Sequence, residues 1–134
     1  MKEGIKYCLN CGKELYKKNQ LYCDSHCQME YQHNQYIERW KNGLETGLRG
    51  EYQISLHIRR YLFEKYNNRC AKCGWGEVNL FTECVPLEVH HIDGDYTNNK
   101  EDNLLLLCPN CHSLTETYKS LNKNGRSGRK KYSI

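Results

Sequence analysis

Nine cysteines and six histidines carry most of the chemistry that this sequence can do. Eight of the cysteines come as pairs: Cys8 with Cys11, Cys23 with Cys27, Cys70 with Cys73, and Cys108 with Cys111. Three pairs are Cys-x-x-Cys and one is Cys-x-x-x-Cys. Disulfide frameworks seldom repeat that spacing. Tetrahedral zinc sites use it routinely, because one tight turn then aims two thiolates at one centre. Cys8, Cys11, Cys23 and Cys27 are expected to hold one zinc. His26 also stands at ligand spacing from Cys23, but Cys27 is the expected fourth ligand because four-thiolate sites are so common. Cys70, Cys73, Cys108 and Cys111 are expected to hold a second zinc. Such sites are closed, so both ions are read as structural.

The second clip matters because of what it encloses. Between its halves runs PLEVHHIDGDYTNNKEDNLLLLCPNCH, residues 86–112. Closing the clip brings the helix that carries His112 beside the strand that ends in His90 and His91. Asp93, Asp95 and Asn103 lie in the same segment. A lone histidine usually has a bland role as a core hydrogen-bonder or an exposed side chain; three converging through a metal clip point to a reaction site.

The elements that must position these residues can be read coarsely. Residues 28–42 repeat apolar side chains at helical spacing, with Trp40 and its neighbouring aromatics as packing residues. Residues 43–50 contain three glycines and read as a linker. Residues 52–67 predict an amphipathic helix with His57, Arg59, Arg60 and Lys65 away from the apolar stripe. A strand is expected near Cys84–His90, pairing with another near Val78–Phe81. Cys84, outside the pairs, reads as a small core residue. IDGDYTNNKEDN is turn chemistry throughout, and Leu104–Leu107 is a short strand. Pro109 suits a helix start, with the helix running to about Leu121. The expected domains are 1–42, a four-cysteine zinc finger plus helix; 43–51, a linker; 52–121, the domain with the second zinc; and 122–134, a basic tail.

Bulk properties narrow the partners. At 38% hydrophobic residues and a mean hydropathy of −0.91, the chain has little apolar surface to bury, and metal compensates for that. Neither a signal-like segment nor a membrane-length apolar run is visible, so an intracellular, cytoplasmic protein is expected. The net charge of +4 is mild, but the end of the chain is not. From Tyr118 onward it carries Lys119, Lys123, Arg126, Arg129, Lys130 and Lys131 with no acidic residue. With Arg59 and Arg60, these are the expected contacts to the phosphates of a nucleic acid.

His90-His91, then Asn103-Leu104, then Cys108-Pro-Asn-Cys111-His112, with Cys70-x-x-Cys73 upstream, resemble the motif of the HNH endonucleases, the ββα-metal nucleases. The resemblance covers Cys70 to about Tyr118. The N-terminal finger and its helix resemble the extra modules of small bacteriophage-type HNH proteins. What the resemblance implies is a zinc-stabilised α+β fold whose ββα-metal unit follows helices and an N-terminal zinc knuckle. It implies a DNA endonuclease of homing or nicking type, acting on double-stranded DNA through one catalytic Mg²⁺ or Mn²⁺. His90 and His112 would be ligands of that ion and His91 the general base. Asn103 would hold the long loop so that His91 is oriented. Where some members have another histidine, one turn after His112, this chain has Glu116. Glu116, Asp93 or water could then be the third ligand. The residue types suit this division. Adjacent strand residues face opposite ways, so one histidine can meet the metal while the other meets the attacking water. The alternative reading is a non-catalytic zinc-finger nucleic-acid-binding protein, which leaves the His and Asn placement unexplained. A cross-braced protein-interaction module also fits the cysteines, but not His90, His91, Asn103 and His112.

Overall fold

A computed structural model of the chain describes residues 4–116. The expected tail contacts Lys119, Lys123, Arg126, Arg129, Lys130 and Lys131 lie outside them.

The N-terminal knuckle is built on two minimal strands, β1 (Lys6–Tyr7) and β2 (Glu14–Leu15), paired antiparallel. It leads into the longest helix, α1 (Ser25–Lys41). This helix begins before residue 28 because the Asp24 side chain caps it, accepting from the Cys27 amide at 2.8 Å. It buries Cys27, His33, Ile37 and Trp40. Its first turn therefore belongs to the knuckle and its last to the main core.

The glycine-rich stretch expected as a linker contains β3 (Leu48–Arg49), which pairs with β4 (Gln53–Ile54). Ser55 then caps α2 (Leu56–Lys65), so the second helix starts later than residue 52. Ile58 and Leu62 from this helix are fully buried. Around them gather Ile37, Trp40, Val85, Leu87, Leu104, Leu106 and Leu107, with Cys70 and Cys108 at the edge. This one core draws on residues from both sides of the glycine-rich stretch.

The segment that carries the paired histidines is a hairpin and a short helix. β5 (Glu88–His91) pairs antiparallel with β6 (Leu104–Leu107), setting His90 opposite Leu105 and His91 opposite Leu104. A 3₁₀ turn at Glu101–Asn103 feeds β6. Pro109 opens α3 (Pro109–Ser113), capped by the Cys108 sulfur.

Three further sequence expectations need correction. The strand before His90 pairs with β6 instead of with Val78–Phe81, where a bridge joins Asn79 to Cys84. The Asn79 carboxamide oxygen caps the amides of Phe81 and Thr82, turning the chain so that Phe81 stands 99% exposed. Cys84 is exposed, not core, beside Arg59, Arg60 and Phe63. Finally, α3 stops at Ser113. Leu114 is exposed and its amide closes a turn onto the Cys111 carbonyl, and the Thr115 hydroxyl bonds the His112 carbonyl at 2.8 Å; positions 117–121 of the expected helix lie outside the described residues.

Candidate active site and metal centres

The two faces of β5 do different things. Glu88 and His90 are two residues apart on the strand and share a side. That side meets α3. The His90 and His112 rings lie edge to face at 5.3 Å between centroids, and His112 Nδ1 contacts Glu88 Oε2. A carboxylate only accepts, so His112 donates through Nδ1, which in the neutral ring leaves the lone pair on Nε2, the tautomer suited to a metal. His90 is buried, and burial holds its imidazole below the ordinary pKa, with His112 and His91 adding to the effect. A neutral imidazole is what a metal ligand has to be.

His91 faces the loop. Its Nε2 lies 2.6 Å from Asn99 Oδ1. Asn103 works one layer behind. Its Nδ2 donates to Asp93 Oδ1 at 2.9 Å and to the Asn98 carbonyl at 2.8 Å, while its Oδ1 accepts from the Asp93 amide at 3.1 Å. Asn98 Nδ2 binds the other Asp93 oxygen at 2.8 Å, and the Asp95 amide donates to Asp93 Oδ1. Asp93 is thus the hub of the loop. Asn103 is buried at the point where the loop rejoins β6 and binds both the hub and the far limb.

The sulfurs form two groups. Those of Cys8, Cys11, Cys23 and Cys27, and those of Cys70, Cys73, Cys108 and Cys111, each lie within 4.8 Å of one another. Zinc–sulfur bonds of about 2.3 Å in a tetrahedron require sulfur–sulfur edges of about 3.8 Å. Cys73 to Cys108 is 3.8 Å, Cys11 to Cys23 is 3.6 Å and Cys23 to Cys27 is 3.5 Å. Both groups therefore fit zinc. Their acid–base character fits too. Burial raises the Cys70 thiol, but amide donors from Cys108, Cys73 and Lys72 outweigh it and bring it down to about 6. Burial and three sulfur neighbours push Cys111 up to about 12. Cys8, at about 6, and Cys23, at about 12, repeat the pattern in the other group. In each group one thiol is held low and another high, and a cation between them would favour the ionised form of both. His26 is exposed and stands outside the first group.

Of the other residues singled out, Arg60 is engaged by Glu30 at 2.8 Å and Glu64 at 2.9 Å, and ties α1 to α2. Arg59 lies over the Phe63 ring and reaches the Leu87 carbonyl. Glu116 is exposed beyond α3. Among the described residues, no third His, Cys, Asp or Glu donor joins His90 and His112 in a group of three within 4.8 Å.

Sequence reasoning missed two residues that touch the histidines. Glu88 was legible from its i, i+2 relation to His90 on a strand. Asn99 had no local signal, since Asn98 and Asn99 both read as turn residues.

Residues 70–117 match the family model described as HNH endonuclease. The chain is similar to the H-N-H endonuclease F-TflIV of Escherichia phage T5, 34% identical over 90 residues, which is 66% of this chain and 39% of that protein. It is also similar to the Zorya protein ZorE of Escherichia coli, 39% identical over 77 residues, covering 58% of this chain and 16% of that protein. The chain spans less than half the length of these curated relatives. No solved structure gives a significant match. With its two four-cysteine groups and its paired histidines on β5, the chain carries a domain of the HNH endonuclease family over residues 70–117.

Proposed function

We propose that this chain is a metal-dependent DNA endonuclease that hydrolyses phosphodiester bonds with His91 as general base. The observation that carries this reading is the division across β5. His90 and His112 meet on one side with Glu88 behind them, and His91 stands on the other against Asn99. The matched family and the phage relative's description support the same chemistry.

In this reading His90 and His112 hold a Mg²⁺ or Mn²⁺ ion. When bound, the ion neutralises charge on the scissile phosphate and its departing oxygen. His91 takes the proton of the attacking water, a task suited to an imidazole near neutral pH. Asn103, through Asp93 and Asn98, keeps the loop folded so that His91 has a fixed backbone. Water is the reading favoured for the remaining ligand positions, because Asp93 is engaged within the loop and Glu116 is exposed. The two zinc ions, one per cysteine group, take no part in the chemistry. A phage-type homing or nicking enzyme acting on double-stranded DNA in a bacterial cytoplasm fits the phage relative. No helix among the described residues is long and apolar enough to cross a membrane.

The test is incubation with supercoiled plasmid across Mg²⁺, Mn²⁺, Co²⁺ and Ni²⁺, with mapping of the ends. Cleavage is expected, and His91→Ala should lower its rate by about 10²–10⁴-fold, the usual weight of a general base. Zinc content and melting temperature should be retained. Cutting by the variant at the wild-type rate would remove His91 from the mechanism. Binding without cleavage in every metal would favour a non-catalytic nucleic-acid-binding protein.

A further inference from the structure

We infer that Asn99 is the positioning residue for His91, and that Trp40, Thr46 and Gly47, all ahead of the matched domain, hold Asn99 in place. The inference rests on His91 being the base.

The orientation of the Asn99 side chain follows from its partners. One end lies 3.2 Å from the Thr46 carbonyl, which can only accept, so that end is the Nδ2 donor. The other end is therefore Oδ1, which can only accept, and it lies 2.6 Å from His91 Nε2. His91 donates to it through Nε2, and in the neutral ring this puts the lone pair on Nδ1. A carboxamide turned the other way would set its oxygen against the Thr46 carbonyl, acceptor to acceptor, so Thr46 fixes the orientation. A base needs that definition: an imidazole in the wrong tautomer shows water an N–H where a lone pair is required.

Asn99 is itself held. It is 4% exposed, and its carbonyl accepts from the Trp40 indole at 2.6 Å. Trp40 sits at the end of α1, buried in the main core. Gly47 closes the bracket. A Cβ there would stand 2.6 Å from Asn99 Cβ and 2.8 Å from Ile58 Cδ1, and the backbone φ of +77° favours glycine. The bonds of Asn103, by contrast, run to Asp93 and Asn98 and shape the loop from within. The frame of the base thus includes residues that the family match does not cover.

The test uses the full zinc-loaded chain, ¹⁵N-labelled, with long-range ¹H–¹⁵N correlation of the imidazole rings at alkaline pH. Wild-type His91 should show the Nε2–H tautomer. Asn99→Ala should lose the hydrogen-bonded shift of that proton and relax toward the tautomer mixture of a free imidazole, and Asn99→Asp, which keeps an acceptor oxygen, should restore the signature. In plasmid cleavage, Asn99→Ala should lower kcat by about 10–100-fold with KM nearly unchanged, the usual cost of losing the partner that orients an active-site imidazole. Trp40→Phe and Gly47→Ala should lower kcat in the same way and weaken the tautomer signature. An unchanged signature in Asn99→Ala, or wild-type kcat in that variant, overturns the inference. If Asn99→Ala fails to fold, unchanged signatures in both Trp40→Phe and Gly47→Ala overturn it instead. Wild-type protein that cuts in no metal would defeat the proposed function, while the tautomer comparison would still decide the place of Asn99.

Discussion

The two cysteine groups have the same donors and similar turns, yet they do different structural work. The N-terminal group is nearly its own core: Cys8, Leu15 and Cys27 are buried there, with Tyr22 and Cys23 half covering them. Its strands are two residues long, and Tyr7, Leu9 and Tyr16 around it are exposed. Apolar burial on that scale is small against the entropy of ordering the segment, a difference that a zinc ion bound by the four cysteines would supply. The second group sits at the rim of a real core. Cys70 and Cys108 pack with Ile58, Leu62 and Leu106, and the Ala71 amide bonds the Leu106 carbonyl at 2.7 Å. There the clip holds α3 and its His112 against β5, on top of packing that already exists. Identical donor sets are thus a scaffold in one place and a fastener for the candidate site in the other.

The sharpest way to break this comparison is to remove one thiolate from each group. Cys108→Ser should cost the second zinc, a free-energy loss on the order of 10 kcal/mol by the measure of structural zinc sites, which exceeds what most domains can lose. The main melting transition should vanish and cleavage with it, as read by calorimetry, zinc analysis and plasmid assay. Cys11→Ser should also lose one zinc, but the main transition and the cleavage rate at saturating DNA should survive. Only local order in the knuckle should go, seen as loss of amide protection before Asp24. Equal damage from both variants would mean that the knuckle and the main core fold as one unit, joined through α1.

Much of this could be read from the chain. The α+β unit and its two cysteine groups were legible because turn spacing and short apolar runs are local signals, as in Leu104–Leu107 or Pro109 at a helix start. What escaped was tertiary. Nothing near Trp40 in sequence says that its indole will meet Asn99, and nothing near Val78 says that Asn79 will turn the chain before a strand can form. His33 and His57 each read as ordinary helix residues, one among packing aromatics and one on a basic face. They meet because α1 packs on α2. The loop was recognisable as turn chemistry, but which asparagine touches His91 depends on how it folds back, and identical residue types at 98, 99 and 103 do not tell.

That same helix contact offers the smallest effect and the finest test of where the knuckle ends and the core begins. His33 Nδ1 and His57 Nδ1 are 2.8 Å apart, so one donates and the other accepts, and the bond cannot survive protonation of both. Tyr36 stacks on His57, and Arg60, Glu30 and Glu64 surround the pair. Burial holds His33 below the ordinary imidazole value, Arg60 and His57 lower it further, and Glu64 and Glu30 only partly oppose them. Between the depressed folded pKa and about 6.5 the folded state therefore binds fewer protons than the unfolded one. The stability contributed by neutral His33 is complete above that value and is lost as pH falls through the depressed folded pKa. His33→Gln, which can still bond His57, should flatten the fall of melting temperature with acid, measured only where zinc content is unchanged. If wild type and variant lose stability in parallel, the acid sensitivity belongs to the thiolates, and α1 is held to α2 by Ile37, Trp40 and Arg60 without help from the histidine pair.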